Sequence, residues 1–121
     1  YNFVGHGIYE NAKDDYIFRF VDFTQVKGKN VPVKVYELVD RKATIEKKSL
    51  DLIKEFEKGM DLYFQQKWDA ALQQFTQTET MEDHYTSRNT TPSAVFIHRC
   101  ELFMENPPEK NWDGVWTMTT K

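Results

Sequence analysis

The chain has 121 residues, a length typical of one domain with a proper core. Its 16 basic and 19 acidic residues give a net charge of −3 and are spread along the chain, which argues against nucleic-acid binding. No apolar run approaches the roughly 20 residues of a membrane-spanning helix, and the first residues lack the regions of a signal peptide.

The chain begins with Tyr1 rather than methionine, and the opening stretch YNFVGHGIYENAKDD has no helix-start signal. We therefore expect a piece of a longer protein whose missing N-terminal part could carry the chemistry. A single cysteine, Cys100, excludes an internal disulfide and a zinc site of several thiolates. This cysteine usage favours the cytosol.

Residues 16–39 have the pattern of a β-hairpin. The run YIFRFVDF from Tyr16 to Phe23 and the run VPVKVYELV at 31–39 are rich in aromatic and β-branched residues, and Gly28 lies in the turn between them. Pro32 lacks a backbone donor, so we expect the second strand to lie at a sheet edge. Alternation predicts one buried face, with Val31, Val33, Val35 and Glu37 on one side and Lys34, Tyr36 and Leu38 on the other.

The apolar period changes from two to about 3.6 residues after the polar stretch DRKAT at 40–44, which predicts a helix to about Gln66. Its apolar stripe consists of Ile45, Ser49, Leu52, Phe56, Met60 and Tyr63. A second helix follows a tight turn near Gln66 and Lys67, with Trp68, Ala71, Leu72 and Phe75 on one face. We expect these two helices to be antiparallel.

Residues 78–93, TETMEDHYTSRNTTPS, predict a loop that leads into a third helix at Pro92. Pro107 and Pro108 end this helix near Glu105. The final stretch NWDGVWTMTTK carries two tryptophans, so we expect it to dock on the helices. The predicted fold is α+β, with a β-hairpin in residues 1–40 followed by a small antiparallel helical bundle in residues 41–121.

The stretch DYIFRFVDFTQVKGKNVPVKVYELV, from Asp15 to Val39, resembles the closing strands of class III adenylate and guanylate cyclase catalytic domains. The family pattern is matched in order by Arg19, Asp22, Val26 to Lys29, Pro32, Val33 and Tyr36 to Leu38. The resemblance implies that residues 1–40 are the C-terminal strands of an incomplete cyclase domain, the end of its catalytic sheet.

Within that family, the first lysine of the VKGK turn approaches the nucleotide triphosphate, and here that residue is Lys27. An ammonium is a compact charge with three donors, and Gly28 lets the backbone approach closely. Without the resemblance, the same residues are simply a solvated turn. The family's metal-binding aspartates, purine-selecting pair and transition-state residues lie upstream. The resemblance therefore implies no catalytic or metal-ligating residue in this chain, which we expect to be inactive alone.

The stretch from Glu55 to Phe75 is similar to a tetratricopeptide repeat through Gly59, Trp68, Ala71 and Phe75. In such a hairpin, small residues permit close helix approach and bulky residues fill the flanking gaps. The residues that follow resemble the tail after the cyclase domain of some bacterial enzymes, through Phe96, Arg99, Cys100, Phe103, Pro107, Pro108, Trp112, Asp113 and Gly114. The resemblance implies no chemistry for this tail, and a structural cap is the simpler interpretation.

Histidines and acidic residues give no metal-binding pattern. His6, His84 and His98 are far apart, and His98 has only Glu101 three residues on, which is typical of a surface pair. The cluster of Glu79, Glu82, Asp83 and His84 lacks the spacing and the central glycine of a calcium loop, so we expect a solvated acidic loop.

Cys100 has two interpretations. Beside Arg99, it could be a thiol with a lowered pKa. A lone cysteine on a helix stripe is more often a small buried apolar residue, and this is the expectation that we adopt.

Three functional hypotheses follow. The first is the C-terminal piece of a homodimeric cyclase. The parent enzyme would use Mg²⁺ or Mn²⁺ to make cyclic AMP from ATP or, as the second choice, cyclic GMP from GTP. The second is a tetratricopeptide-like adaptor that binds a peptide or a partner helix. The third is a structural tail without a ligand. The choice of purine, the upstream sensor, any membrane tether of the parent and the partner of the tail stay open.

Overall fold

The structure is a computed structural model that describes residues 2–26, 31–82 and 90–118. In this part of the chain, four strands and four helices form an α+β arrangement, as predicted. They are β1 (Phe3–Gly5), α1 (His6–Ala12), β2 (Tyr16–Val26), β3 (Val33–Arg41), α2 (Lys47–Phe64), α3 (Trp68–Glu79), α4 (Pro92–Glu105) and β4 (Trp116–Met118). The chain divides into a sheet unit, Tyr1–Glu46 with Asn111–Lys121, and a helical unit, Lys47–Lys110. None of the helices in the described ranges is long and apolar enough to cross a membrane.

The predicted hairpin is the centre of the sheet unit. Strands β2 and β3 pair antiparallel from Tyr16 opposite Arg41 to Thr24 opposite Val33. The register shifts twice, between Ile17 and Phe18 and between Phe20 and Asp22. Such irregularities bend a strand and re-aim its side chains, so simple alternation does not describe both faces of β2.

Strand β3 is not an edge strand, which corrects our expectation. The sheet order is β1-β3-β2-β4, and β1 pairs with the free side of β3, with Phe3 opposite Glu37 and Gly5 opposite Val35. Pro32 precedes the first residue of β3, Val33. The missing N–H of Pro32 therefore lies outside the hydrogen-bond ladder of the sheet. For this reason Pro32 does not require β3 to be an edge strand.

Part of the C-terminal segment forms a strand that the sequence analysis did not predict. Trp116–Met118 is β4, which pairs in parallel with the end of β2. The side-chain hydroxyl of Thr24 donates to the backbone oxygen of Trp116 at 2.8 Å. Residues 111–118 accordingly group with the sheet unit.

The helical unit begins with α2 and α3, which are joined by a short turn. Gln66 has a φ of 62°, and the N–H groups of Gln66 and Lys67 donate to the carbonyls of Tyr63 and Leu62 at 3.0 and 2.9 Å. This pattern is a Schellman motif, which satisfies the last carbonyls of a helix. The tight turn near Gln66 and Lys67 is thus confirmed.

Aromatic rings fill the core of the helical unit. Phe56, Phe75 and Phe96, one from each helix, have ring centroids 5.3 to 5.9 Å apart and are at most 1% exposed. The members of the predicted stripes that are buried are Phe56, Met60, Tyr63, Trp68, Ala71 and Phe75. The predicted faces are therefore confirmed from Phe56 onward, whereas Ile45, Ser49, Leu52 and Leu72 are only half-buried. The confirmed faces meet a third helix as well as each other.

Gly59 of α2 lies directly against the ring of Phe75 of α3. A Cβ atom added at this glycine would lie 2.7 to 2.9 Å from three carbons of the Phe75 ring. Because Phe75 is fully buried, the ring has little room to move. A glycine is therefore required by packing at this position.

Helix α4 has the bounds predicted from the sequence. Thr91 is its N-cap, and its side-chain oxygen accepts from the Ala94 N–H at 3.0 Å. Pro92 occupies the first turn, where its missing donor is harmless.

Candidate functional site

The end of the β2–β3 hairpin is the candidate site. Strand β2 ends at Val26 and β3 begins at Val33. Lys27, the expected phosphate-binding residue, lies with Gly28 and Lys29 outside the described residues, so its role stays a prediction. The described strands β2 and β3 form the rest of the site.

A buried ion pair crosses the middle of the hairpin. Arg19 and Glu37 are directly opposite each other in β2 and β3. The Nη2 and Nε atoms of Arg19 lie 2.6 and 2.8 Å from Oε1 of Glu37. Arg19 is only 2% exposed, so this pair is shielded from water. Both residues carry the cyclase resemblance, but the sequence alone does not reveal that they pair.

The carboxylates near the hairpin do not form a metal site. Asp22 accepts a hydrogen bond from the Phe23 N–H, Asp40 accepts one from the Thr44 hydroxyl, and Glu37 is engaged by Arg19. In residues 2–26, 31–82 and 90–118, no group of three His, Cys, Asp or Glu side chains could hold a metal ion. The described residues therefore do not fit the divalent metal of a cyclase, which needs clustered carboxylates.

Helix α1 is attached to β3 by aromatic contacts. The rings of Tyr9 and Tyr36 are stacked with centroids 4.0 Å apart, and Nδ1 of His6 lies 3.2 Å from the Tyr36 hydroxyl. Burial, and then the nearby Tyr9, raise the pKa of Tyr36. His6 also approaches Glu10 at 3.3 Å, one helical turn away. These contacts hold His6 against Tyr36 at the surface, with half of its side chain exposed.

Glu79 and Glu82 of the acidic cluster are not part of a solvated loop, which is a further correction. Glu82 is buried, and its Oε2 accepts from the hydroxyl and the N–H of Ser93 at 2.6 and 3.2 Å. Glu79 accepts a hydrogen bond from the Thr91 hydroxyl. Both carboxylates thus complete the start of α4, where negative charge is favourable. Asp83 and His84 lie outside the described residues.

Cys100 is a buried apolar residue, as expected. It is fully inaccessible, and burial raises the pKa of its thiol to about 12, with a smaller contribution from Glu101. Its neighbour Arg99 is buried, with its guanidinium carbon 4.8 Å from the centroid of the Phe96 ring. A thiol with so high a pKa is not a nucleophile at neutral pH.

The WDGV sequence forms a compact turn that leads into β4. The Trp112 indole N–H donates to the Val115 carbonyl at 2.9 Å, and the Asp113 carboxylate accepts from the Val115 N–H at 3.0 Å. Gly114 has a φ of 88°, a conformation that favours glycine. Trp112, Asp113 and Gly114 therefore have a structural role in this turn.

The sheet unit, with its two-stranded hairpin and its buried charge pair, is a small α+β scaffold. Its described residues include no group of three His, Cys, Asp or Glu side chains that could hold a metal ion. No family model matches the chain, and no solved structure matches it.

One curated protein is similar over most of the chain. It is the terminal-differentiation-specific adenylate cyclase of Dictyostelium discoideum, which is 32% identical over 89 residues. The match covers 72% of this chain and 4% of that cyclase. The chain is thus related in sequence to a small part of an adenylate cyclase.

Proposed function

We propose that the chain is the C-terminal part of a nucleotide cyclase, with the β2–β3 hairpin as the end of its catalytic sheet. The observation that carries this proposal is the similarity to an adenylate cyclase over 89 residues. The first stretch of the sheet unit ends at Glu46. A match of 89 residues is longer than this stretch, so it includes part of the helical unit. The similarity therefore extends beyond the hairpin motif, as it would for a tail that accompanies such a domain.

In this proposal, Lys27 contacts the triphosphate of ATP or GTP. The described strands support such a role because the Arg19–Glu37 pair and the flanking strands β1 and β4 hold the hairpin that leads to it. In this proposal, the metal ligands and the catalytic residues come from the parent enzyme and not from this chain. Mg²⁺ or Mn²⁺, the purine-selecting residues and the dimer partner of the catalytic domain all belong to the parent enzyme, for which we propose a cytoplasmic catalytic region.

The helical unit is proposed as a tetratricopeptide-like tail that regulates the parent enzyme or stabilises its dimer. The supporting observation is the contact of Gly59 with Phe75 beside the fully buried Ala71. This small-and-large complementarity is typical of a repeat of that type. The proposed bacterial origin of such tails gains no support from the relative, which is from Dictyostelium.

A tetratricopeptide-like adaptor is the alternative function. An open groove between α2 and α3 would favour it, but Phe75 is buried against Phe56, and Trp68 is stacked on Phe103 at 4.6 Å. The face that these residues line is therefore filled by the unit's own side chains. This packing makes the cyclase piece the preferred proposal.

The test is a cyclase assay on the full-length protein and on this chain alone, with ATP or GTP and with Mg²⁺ or Mn²⁺. We expect the full-length protein to form a cyclic nucleotide and the chain alone to form none. Full-length protein that forms neither cyclic AMP nor cyclic GMP would contradict the proposal and favour the adaptor.

A further inference from the structure

The outer side of α3 and α4 contains a groove of about 570 Å³. It is lined by Leu72 of α3 and by His98, Glu101, Leu102, Met104 and Glu105 of α4. Leu102 and Met104, two residues apart in α4, are 39% and 49% exposed. The groove therefore combines aliphatic surface with two carboxylates.

The groove carries two like charges close together. Glu101 and Glu105 are one turn apart on α4, a spacing at which like charges repel. They also lie near the C-terminus of the helix, where the partial charge of the backbone is negative, and the last turn contains no basic residue. The ion pairs formed among the described residues involve neither carboxylate. A cationic ligand would relieve all these unfavourable interactions together.

The apolar residues of α4 also extend beyond its buried face. Phe96 and Cys100 point into the core, whereas Leu102 and Met104 are on the accessible side. A helix that is apolar on several sides is usually covered on several sides. The aliphatic part of the groove therefore matches a partner with its own apolar side chains.

We propose that this groove binds a cationic amphipathic segment of a partner protein. Leu72, Leu102 and Met104 contact the aliphatic side chains of the segment, and Glu101 and Glu105 pair with its lysines or arginines. Glu101 and Glu105 select against acidic segments. Such a segment would remove water from the two carboxylates without pairing with them. This inference concerns the helical unit alone and does not depend on cyclase activity.

The test uses the 121-residue chain and a fluorescein-labelled helical peptide of about 15 residues, long enough to form a marginal helix in water. The peptide has leucines at helical spacing on one face and lysines elsewhere, and binding is followed by fluorescence anisotropy at low salt. A second peptide has glutamate in place of lysine. The variant E101Q/E105Q removes both charges of the groove. The matched control is E57Q/D61Q, which removes an exposed carboxylate pair of the same spacing from α2.

We expect the lysine peptide to bind and the glutamate peptide not to bind. Affinity should fall about tenfold in E101Q/E105Q and at about 1 M salt, where charges are screened beyond about 3 Å, and should stay unchanged in E57Q/D61Q. The variant L102S should also weaken binding, because the aliphatic contact is lost. Absence of binding, equal losses in the two double variants, or unchanged affinity in L102S would each overturn the proposal. Sedimentation that shows a second copy of the chain covering the wild-type groove would also overturn the proposal.

Discussion

Thr24 donates its side-chain hydroxyl to the backbone carbonyl of Trp116 at 2.8 Å and so joins two residues that are 92 positions apart in sequence. The bond lies where β4 begins to pair with β2. Val26 lies two residues further along β2 and directly precedes Lys27 in the sequence. The C-terminal strand thus supports the end of the strand that carries the candidate phosphate-binding residue.

Replacement of Thr24 by valine should lower the free energy of unfolding by about 1 kcal/mol. Valine keeps the shape of the side chain but removes the hydrogen bond, and the typical net contribution of such a bond is about 0.5 to 1.5 kcal/mol. Urea denaturation of the chain measures the change. Thr24→Ser retains the hydroxyl and should be closer to wild type; an equal or larger loss in the serine variant would contradict the role of the bond.

Removal of one member of the Arg19–Glu37 pair should be strongly destabilising. Glu37→Leu leaves the guanidinium of Arg19 buried without its carboxylate, a change that typically costs about 3 to 5 kcal/mol. The double variant R19M/E37L removes both charges and should recover a large part of the loss. Thermal denaturation of the three proteins gives the comparison. A double variant that is less stable than E37L would show that the two residues do not act as a pair.

Gly59→Ala should destabilise the helical unit by about 1 to 3 kcal/mol, because the added methyl group would overlap the buried ring of Phe75. Gly7 is the matched control, since it is also in a helix but a Cβ added there would have nothing within 4 Å. Gly7→Ala should be neutral or stabilising by up to about 1 kcal/mol. Circular dichroism during urea unfolding measures both variants. Equal effects of the two substitutions would contradict the close approach of α2 and α3.

The thiol of Cys100 should resist alkylation in the folded chain at pH 8 and react only when the chain unfolds. Its pKa is raised from 9.0 to about 12, so folding favours the protonated thiol. The contribution of the protonated Cys100 thiol to the free energy of unfolding is complete below pH 9 and is lost as the pH rises from about 9 to about 12. Wild type should therefore lose stability relative to Cys100→Ala over this pH range. Rapid alkylation under native conditions, or a constant difference in stability, would contradict this prediction.

Local signals account for the elements that the sequence predicted well. The bounds of α4 followed from Thr91 and Pro92 at its start and from the prolines after its end, all of which act within one turn. The hairpin and the buried faces of α2 and α3 followed from side-chain periodicity, which reflects burial directly.

The missed features depend on distant partners. Strands β1 and β4 have three residues each, too few for a periodic pattern, and they exist because they pair with β3 and β2. Helix α1 lacks a side-chain cap, so it has no start signal in the sequence. The burial of Glu82 depends on Ser93, eleven residues away. The partner of Arg19 became identifiable only from the register of the two strands.

The most direct test of the central claim is the KM for ATP, or for GTP if that is the substrate, of the full-length protein with Lys27→Ala. Loss of a charged contact to phosphate typically costs about 1.5 to 3 kcal/mol, so we predict a KM at least about tenfold higher. Lys42→Ala, which removes an exposed lysine after β3, is the matched control and should leave the KM unchanged. A KM that is the same in Lys27→Ala as in Lys42→Ala would contradict the assignment of this hairpin to a cyclase nucleotide site.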